Sequence, residues 1–348
     1  MVYIYLKKLM SLRIYFIILI STLVYLGTLI KKDFFTKNLI IQDTEFFIDK
    51  NTSYNSLKNN LYDLSSEMSW FSSLFFDSFL SQKRLEYWMM SGRYVLKKNS
   101  SLNDIVNKLR SRSQDPLKFT FKSVDDINLI FGILQNKFEV DSIDFVNFFK
   151  DQSFSIDNLY FLLIPNTYEM YWDITPSDFF RRVNLEYNKF WTPEKLEAAN
   201  KINLSKDEVF ILASIVHKEA SHFDEMPRIA GLYLNRIKEN WPLAADPTIS
   251  YIWKKQNGKQ LKRIRNKHIK KTKDSPFNTY HNLGLPPLPI CVPSLQSIES
   301  VLFAEDHEFF FMCAKPDRSE YHNFAKTEKE HLLNARQFHS WLNSRKIY

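Results

Sequence analysis

The sequence predicts an α+β fold preceded by a single transmembrane helix, and three observations support this prediction. An uncharged run of 17 residues lies near the N-terminus. Short segments rich in aromatic and β-branched residues are each followed by a segment with apolar residues at helical spacing. The 348 residues include 45% hydrophobic side chains, 30 Phe and only 6 Gly, which excludes a disordered or collagen-like chain. This length accommodates two domains, or one domain with a tail and an anchor.

The N-terminal apolar run, Ile14–Ile30, is long enough to cross a bilayer, since roughly 17–25 residues are needed. Basic residues flank it with a small excess on the N-terminal side: Lys7, Lys8 and Arg13 before it, and Lys31 and Lys32 with Asp33 after it. We therefore expect residues 1–13 in the cytoplasm and the bulk of the chain outside the cell (inner) membrane. A cleaved signal peptide is the alternative, but no small-residue cleavage site follows Ile30.

A weak internal repeat follows an expected linker over residues 31–43. Lys50–Leu61 aligns without gaps on Lys98–Leu109, with six of twelve positions identical. Each copy follows a strand-like piece, Phe46–Ile48 or Tyr94–Leu96, and offers a Ser or Thr cap before a helical pattern. The repeat predicts a strand, turn and helix unit used twice, within a small α+β domain over residues 44–117. The alternative is that a composition rich in Lys and Asn produces such matches by chance.

The remainder, residues 118–348, reads as a second α+β domain. A strand at 118–121 leads into helical segments that reach about residue 150, and Pro165–Asn166 marks a turn. A helix from Pro176 and a shorter one capped by Thr192 precede a strongly apolar helix that contains Glu219.

Glu219 is a carboxylate where the helix pattern calls for a core residue. Leu212, Ile215 and Val216 recur at helical spacing, and Glu219 falls next in that series. Loss of solvation raises the pKa of a carboxyl group, so that it can hold a proton near neutral pH and act as a general acid. The alternative is a buried carboxylate neutralised by a cation, for which Arg236 is a candidate.

The segments that follow have the composition of a saccharide groove. Their turns combine hydrogen-bonding side chains with aromatic residues, and the sequence has no Gly-rich phosphate loop. Six motifs stand out: Leu212–Ala220, Gly231–Arg236, Ala245–Thr248, Ser275–Tyr280, Gly284–Pro287 and His322–His331.

These motifs resemble those of the endolytic murein transglycosylases, the YceG-like family, over residues of about 118–342. The resemblance extends to the membrane anchor and to a LysM-like domain that matches the repeat region. Two departures from the family pattern occur. His217 stands where the family usually has an acidic residue, and Val292–Ser294 replaces an Asn-Pro-Gly turn. A YceG-like catalytic domain with Glu219 as its essential carboxylate is what the resemblance implies.

The implied activity is cleavage, without water, of the β-1,4 bond between N-acetylmuramic acid and N-acetylglucosamine in nascent peptidoglycan. The new ends would carry 1,6-anhydromuramic acid, which terminates glycan elongation. Glu219 would protonate the glycosidic oxygen and then, as carboxylate, take the proton of the C6 hydroxyl. The resemblance implies no cofactor, and it implies partnership with peptidoglycan synthases.

Four further residues are candidates for substrate binding: Asn235, Asp246, Thr248 and Tyr280. Asn235, Thr248 and Tyr280 could orient the sugar, although core or turn packing is an alternative for each. Asp246 is the obvious second acid, but Pro247 directly after it favours a turn-stabilising role. Two other functions stay open: a hydrolysing muramidase that uses Glu219 with Asp246, and a membrane-anchored peptidoglycan-binding protein without activity.

Metal and nucleic-acid sites are disfavoured. His217 and His222 are five residues apart, which turns them about 140° from each other around a helix, so we expect no metal. The net charge of +8 includes a basic stretch at 254–273. Outside the membrane this stretch would meet lipid head groups or wall polymers rather than nucleic acid, and a solvated loop is the commoner explanation. Cys291 and Cys313 could pair or remain free thiols.

Overall fold

A computed structural model describes residues 2–151, 155–261 and 263–345. These residues form two compact units. The N-terminal unit comprises residues 2–118 with 137–139 and 169–174, and the C-terminal unit comprises 119–136, 140–168 and the described residues from 175 onward. Helices and strands are both present, as the sequence predicts.

The N-terminal unit contains six α-helices, one π-helix and a two-stranded sheet among its described residues up to 110. The elements are α1 (Val2–Lys31), a π-helix (Lys32–Thr36), β1 (Thr44–Ile48), α2 (Tyr54–Leu64), α3 (Trp70–Ser73), α4 (Phe76–Gln82), α5 (Leu85–Trp88), β2 (Gly92–Leu96) and α6 (Leu102–Arg110). Strands β1 and β2 are antiparallel, with Thr44 opposite Leu96 and Ile48 opposite Gly92.

Both predicted strand-turn-helix units are present as β1 with α2 and β2 with α6. Each helix begins at a serine cap. Ser53 accepts a hydrogen bond from the backbone of Ser56, and Ser101 forms a reciprocal capping box with Asp104. The apolar faces of these helices meet in one core, to which Leu57 and Leu102 contribute fully buried side chains.

The segment expected to be a linker is packed into this unit. Phe34 and Ile40 are buried in the core, and the Asp33 carboxylate accepts hydrogen bonds from the backbone nitrogen and hydroxyl of Ser69. A periodicity argument could not find these residues, since the segment is too short to show a repeating pattern. The chain therefore passes from α1 into the core without a free linker.

Helix α1 contains the apolar run. Among the described residues it is the one helix that is long and apolar enough to cross a membrane, and its apolar window is not buried inside the structure. It extends from Val2 beyond the predicted span to Lys31.

The C-terminal unit is mainly helical. The described elements from residue 117 onward are β3 (Leu117–Thr120), α7 (Ile127–Lys137), α8 (Ser142–Asp151), a 3-10 helix (Ile156–Asn158), α9 (Leu159–Leu162), β4 (Thr167–Met170), α10 (Pro176–Phe190), α11 (Pro193–Lys201), α12 (Lys206–Glu219), a 3-10 helix (Phe223–Glu225), α13 (Met226–Lys238), α14 (Asp246–Asn257), α15 (Asn266–Lys271), α16 (Leu295–Leu302), β5 (Phe311–Ala314), β6 (His322–Ala325) and α17 (Glu328–Ser344). Strand β3 pairs with β4, and β5 pairs with β6 in an antiparallel hairpin.

Helix α12 is the centre of the C-terminal core. Every residue from Val209 to Val216 is buried, so the helix is enclosed on all sides and not only along the predicted stripe. The reason is its contact with α13, α14 and α16, which together surround it.

A glycine permits one close approach in this core. A Cβ added at Gly231 in α13 would lie 2.3 Å from the carbonyl oxygen of Glu305. Glycine therefore allows the segment that leads into the β5–β6 hairpin to lie directly against α13. The two cysteines are free thiols, Cys291 buried and Cys313 half-buried.

Candidate active site

Glu219 is the last residue of α12. The helix begins at a capping box, in which Ser205 and Glu208 exchange side-chain to backbone hydrogen bonds. It ends because Ala220 adopts an extended conformation, with φ −85° and ψ 126°. A central, fully enclosed helix thus presents a carboxyl group at its C-terminal end, where the core opens into a cavity.

The Glu219 carboxyl group is poorly solvated. Its Oε2 atom and the neighbouring Tyr233 hydroxyl are both buried, and neither has a hydrogen-bond partner elsewhere among the described residues. Burial raises the pKa of Glu219 to about 7, the positive charge of His322 opposes this rise, and the negative charge of Asp246 adds to it. Hydrogen bonding from Tyr233 lowers the pKa of Glu219 slightly. The group can therefore be protonated or ionised near neutral pH, which suits an acid that later acts as a base.

Arg236 does not form the ion pair that the sequence left open. Its Nε donates to the carbonyl oxygen of Phe310 at 2.8 Å, and its Nη1 donates to that of Leu243. No Lys, Arg or His nitrogen among the described residues forms an ion pair with Glu219 within 4.0 Å. Arg236 lowers the pKa of Glu219 only through its charge.

The cavity beside Glu219 has a volume of about 530 Å³. One face of α14 forms a wall of it, because the lining residues Asp246, Ser250, Lys254 and Gly258 recur every four positions. The remaining lining residues are Asp125, Asp126, Lys218, Pro247, Tyr251, Lys255, Gln260, Ile264 and Ile290. Along this wall the acidic residue Asp246 and the basic residue Lys254 are about 12 Å apart, by the rise of eight helical residues.

Asp246, which lines this cavity, is paired with Tyr280. The Tyr280 hydroxyl donates to Asp246 Oδ1 at 2.6 Å. This is the one hydrogen bond that the described residues give to the Asp246 side chain, so the expected turn-stabilising role is replaced by a contact with Tyr280. Burial and this hydrogen bond raise the pKa of Tyr280, which keeps its hydroxyl protonated.

Asn235 and Thr248 have structural partners, which favours the packing alternative for both. The Asn235 amide donates to the carbonyl oxygens of His307 and Phe309 at 2.8 and 3.1 Å. Thr248 is fully buried, and its hydroxyl donates to Ala245 and contacts the hydroxyl of Thr279 at 3.0 Å. Asn235 fixes the segment before β5, and Thr248 fixes the start of α14.

His322 lies near Glu219, although the sequence analysis singled it out only as the first residue of the motif His322–His331. Its Nδ1 lies 2.7 Å from Glu225 Oε2, and its backbone nitrogen donates to Glu225 Oε1 at 2.8 Å. Glu225 is 5% exposed, and His322 is the group that most strongly lowers the pKa of Glu219. The sequence shows an acidic residue, Glu225, at the start of α13. Since 97 residues separate Glu225 from His322, no spacing pattern could reveal that the two side chains meet.

Two lysines at the cavity share one carboxylate. Asp125 lies 2.5 Å from the Lys218 ammonium and 2.9 Å from that of Lys254. The interaction with both lysines lowers the pKa of Asp125 against the effect of its burial. Asp125 thus links Lys218, next to Glu219 at the end of α12, to Lys254 near the end of α14. The basic stretch 254–273 thus begins in the wall of the cavity, and its residue 262 lies outside the described residues.

The two departures from the family pattern lie in contact. His217 Nδ1 is 3.2 Å from the hydroxyl of Ser294, which caps α16. Burial lowers the pKa of His217 to about 4, so the ring is neutral at neutral pH. Position 217 therefore carries no charge beside Glu219.

The described residues contain no group of three or more His, Cys, Asp or Glu side chains arranged to hold a metal ion. His222 points away from His217, since its Nε2 contacts the carbonyl oxygen of Ser319 at 2.6 Å. Its ring stacks on Tyr321 with centroids 4.0 Å apart.

Comparison with known proteins places this chain in a family. The model of the YceG-like family matches residues 46–337. An endolytic murein transglycosylase of Bacillus subtilis is 34% identical over 132 residues, which are 38% of this chain and 34% of that protein. One from Streptococcus pneumoniae serotype 2 is 29% identical over 182 residues, or 52% of this chain and 32% of that protein. These matches span about a third of the length of the curated relatives.

A solved structure shares the fold. The crystal structure of a yceG-like protein from Listeria monocytogenes superposes with a TM-score of 0.51. The superposition covers 84% of this chain and 98% of that one at 21% identity. Since the family model covers most of the chain, including all the candidate site residues, the protein belongs to the YceG-like family.

Proposed function

We propose that the protein is a membrane-anchored endolytic murein transglycosylase. The observation that carries the proposal is Glu219, whose pKa is raised to about 7 at the edge of a cavity large enough for a saccharide. The two curated relatives described above bear that name, which supports the assignment. The substrate would be the glycan strand of peptidoglycan.

In the proposed reaction Glu219 alone transfers both protons. The protonated carboxyl gives its proton to the glycosidic oxygen, and the bond from that oxygen to muramoyl C1 breaks. The resulting carboxylate takes the proton of the muramoyl C6 hydroxyl, whose oxygen forms the new bond to C1. The products are a free 4-hydroxyl on N-acetylglucosamine and a 1,6-anhydro ring, and Glu219 regains its proton.

We assign the other residues supporting roles. Asp246, held by Tyr280, places negative charge where the sugar ring becomes positive in the transition state. Tyr280 and Asp246 are the substrate-facing pair, whereas Asn235 and Thr248 keep α14 and the β5 segment in position. A muramidase would instead use Asp246 as a second catalytic carboxylate, either as a nucleophile or as the base that activates water.

We propose that α1 anchors the protein, with residues 1–13 in the cytoplasm, 14–30 in the bilayer and the catalytic domain, residues 118–348, outside. The paired β1–α2 and β2–α6 units support a LysM-like assignment for residues 44–117. An enzyme tethered there could cut strands as they emerge from peptidoglycan synthases and so end their elongation. Crosslinking in membranes followed by purification tests the association; recovery without any synthase would argue against it.

A paired substitution tests the catalytic assignment. Purified glycan strands are incubated with wild type, Glu219→Gln and the control Glu239→Gln, an exposed residue at the end of α13. We expect the Glu239 variant to release fragments like wild type and the Glu219 variant to lose at least about 100-fold in rate. Full activity in Glu219→Gln would refute the assignment. Binding of strands without cleavage by the wild type would favour the peptidoglycan-binding alternative.

A further inference from the structure

An exposed apolar surface lies next to the end of the anchor helix. We call it the aromatic patch, and it consists of Phe35, Trp70, Leu74 and Phe75. Trp70 is 76% exposed and Leu74 is 67% exposed, values unusual for such large apolar side chains. Phe35 belongs to the π-helix, and the other three residues lie in α3 or directly after it. The patch therefore occupies one region of the N-terminal unit.

The last turns of α1 pack against the same unit. Leu26, Leu29 and Ile30 are partly buried, whereas most other residues of the apolar run are exposed. They lie on one face of the helix, at positions i, i+3 and i+4. Helix α1 is in contact with α3, and Ile30 packs on the core of the N-terminal unit. Since these residues belong to the run proposed to cross the bilayer, α3 lies at the level of the membrane surface.

Hydrogen bonds fix this placement. Asp33, two residues after the last helical residue of α1, accepts from the Ser69 hydroxyl at 2.7 Å and from its backbone nitrogen at 3.0 Å. Ser69 is the N-cap of α3. Phe34 packs on Phe79 with ring centroids 4.7 Å apart. Helix α3 is therefore held at the point where the chain leaves the proposed membrane span.

The chemistry of the patch fits the interfacial region of a bilayer. Trp is enriched at membrane interfaces, where its ring meets both apolar and polar surroundings. The rings form a connected series, with centroids 5.9 Å apart from Trp70 to Phe71 and 5.3 Å from Phe71 to Phe75. Lys31 and Lys32 lie at the same end of α1, where their ammonium groups can meet lipid phosphates.

We propose that the aromatic patch is inserted into the interfacial region of the membrane, so that the N-terminal unit lies on the lipid surface. The proposal rests on the membrane anchor of the proposed function, but not on the catalytic assignment. It commits to lipid as the occupant because the patch adjoins the end of α1, which the proposed function places in the bilayer.

Tryptophan quenching by labelled lipids tests the proposal on the full chain. The protein is reconstituted into vesicles of phosphatidylglycerol and phosphatidylethanolamine that contain nitroxide-labelled lipid. The first tryptophan of the chain is Trp70, so the anchor helix contributes no signal. We expect Trp70→Phe to lose most of the quenching that shallow labels cause. The control Trp88→Phe removes a 43% exposed ring of the same unit, which is covered by Arg112, and should keep it.

A second variant separates loss of structure from loss of contact. Adding Leu74→Trp to Trp70→Phe places a new reporter in the patch, and we expect quenching by shallow labels to return. Unchanged quenching in Trp70→Phe, or no return in the double variant, would overturn the proposal. Flotation with the vesicles after carbonate washing reports the anchor separately. Failure to float would overturn both the proposed anchor and the proposed insertion of the aromatic patch. Flotation without quenching of Trp70 would overturn the insertion of the patch alone.

Discussion

Glu225 holds His322 near the Glu219 carboxyl group through two hydrogen bonds, at 2.7 Å to the ring and 2.8 Å to the backbone nitrogen. Two charged groups, each held by a hydrogen bond, act on the pKa of Glu219 with opposite effect. The positive charge of His322 lowers the pKa of Glu219, and the negative charge of Asp246 raises it. Burial has the largest effect, so the pKa of Glu219 is raised overall.

The rate should depend on the protonated form of Glu219. Since burial raises the pKa of Glu219 to about 7, we expect kcat/KM to fall tenfold per pH unit as the pH rises above about 7. A pH profile on purified glycan strands measures this. A profile whose descending limb lies near the ordinary carboxyl value of 4.5 would remove the argument from burial.

Neutralising the two charged neighbours should move that limb in opposite directions. Asp246→Asn removes a negative charge that raises the pKa of Glu219, so the limb moves to lower pH. His322→Gln removes a positive charge that lowers it, so the limb moves to higher pH. The same pH profiles check both signs, and a shift of both variants in one direction would contradict the charge arrangement.

Glu219 should also reduce stability at high pH. The folded protein holds the proton up to about pH 7, whereas the unfolded chain releases it near 4.5, so ionisation increasingly favours unfolding between these values. We expect Glu219→Gln to gain stability over wild type through this window, on the order of 2 kcal/mol, and to keep the gain above pH 7. Urea unfolding at pH 4 and pH 8 measures it. An equal difference at both pH values would contradict the raised pKa.

Asn235 and Tyr280 should differ in what their loss affects. Asn235→Ala leaves two backbone carbonyls without their donor, so we expect the free energy of unfolding to fall by about 1–3 kcal/mol. Tyr280→Phe removes a donor at the cavity, so we expect kcat to fall with a stability change below about 1 kcal/mol. Chemical unfolding and initial rates on the same preparations separate these effects. A stable but inactive Asn235→Ala would restore a direct role for Asn235.

Gly231→Ala should destabilise the C-terminal unit. The added Cβ would lie 2.3 Å from a backbone oxygen, so α13 or the facing segment must shift, at a cost of about 1–3 kcal/mol. The control is Gly132→Ala in α7, where a Cβ meets nothing within 4 Å. For this control we expect the free energy of unfolding to rise by up to about 1 kcal/mol, because Ala has a higher helix propensity than Gly. Thermal unfolding compares the two, and equal effects would argue against the close approach.

The parts of this structure that depend on local sequence could be predicted. The serine caps of α2 and α6, and the position of Glu219 among apolar residues at helical spacing, require only a few neighbouring residues. The contacts that complete the site join distant segments. Glu225 meets His322 across 97 positions and Asp246 meets Tyr280 across 34, and no spacing rule relates either pair. The enclosure of α12 likewise arises from tertiary packing.

The central claim is that Glu219 catalyses cleavage without water. Purified glycan strands are digested in water enriched in the heavy oxygen isotope, and the masses of the new muramoyl ends are measured. We expect 1,6-anhydro ends that lack the mass of one water and carry no heavy oxygen. Reducing ends that contain the heavy isotope would show hydrolysis and would contradict the claim.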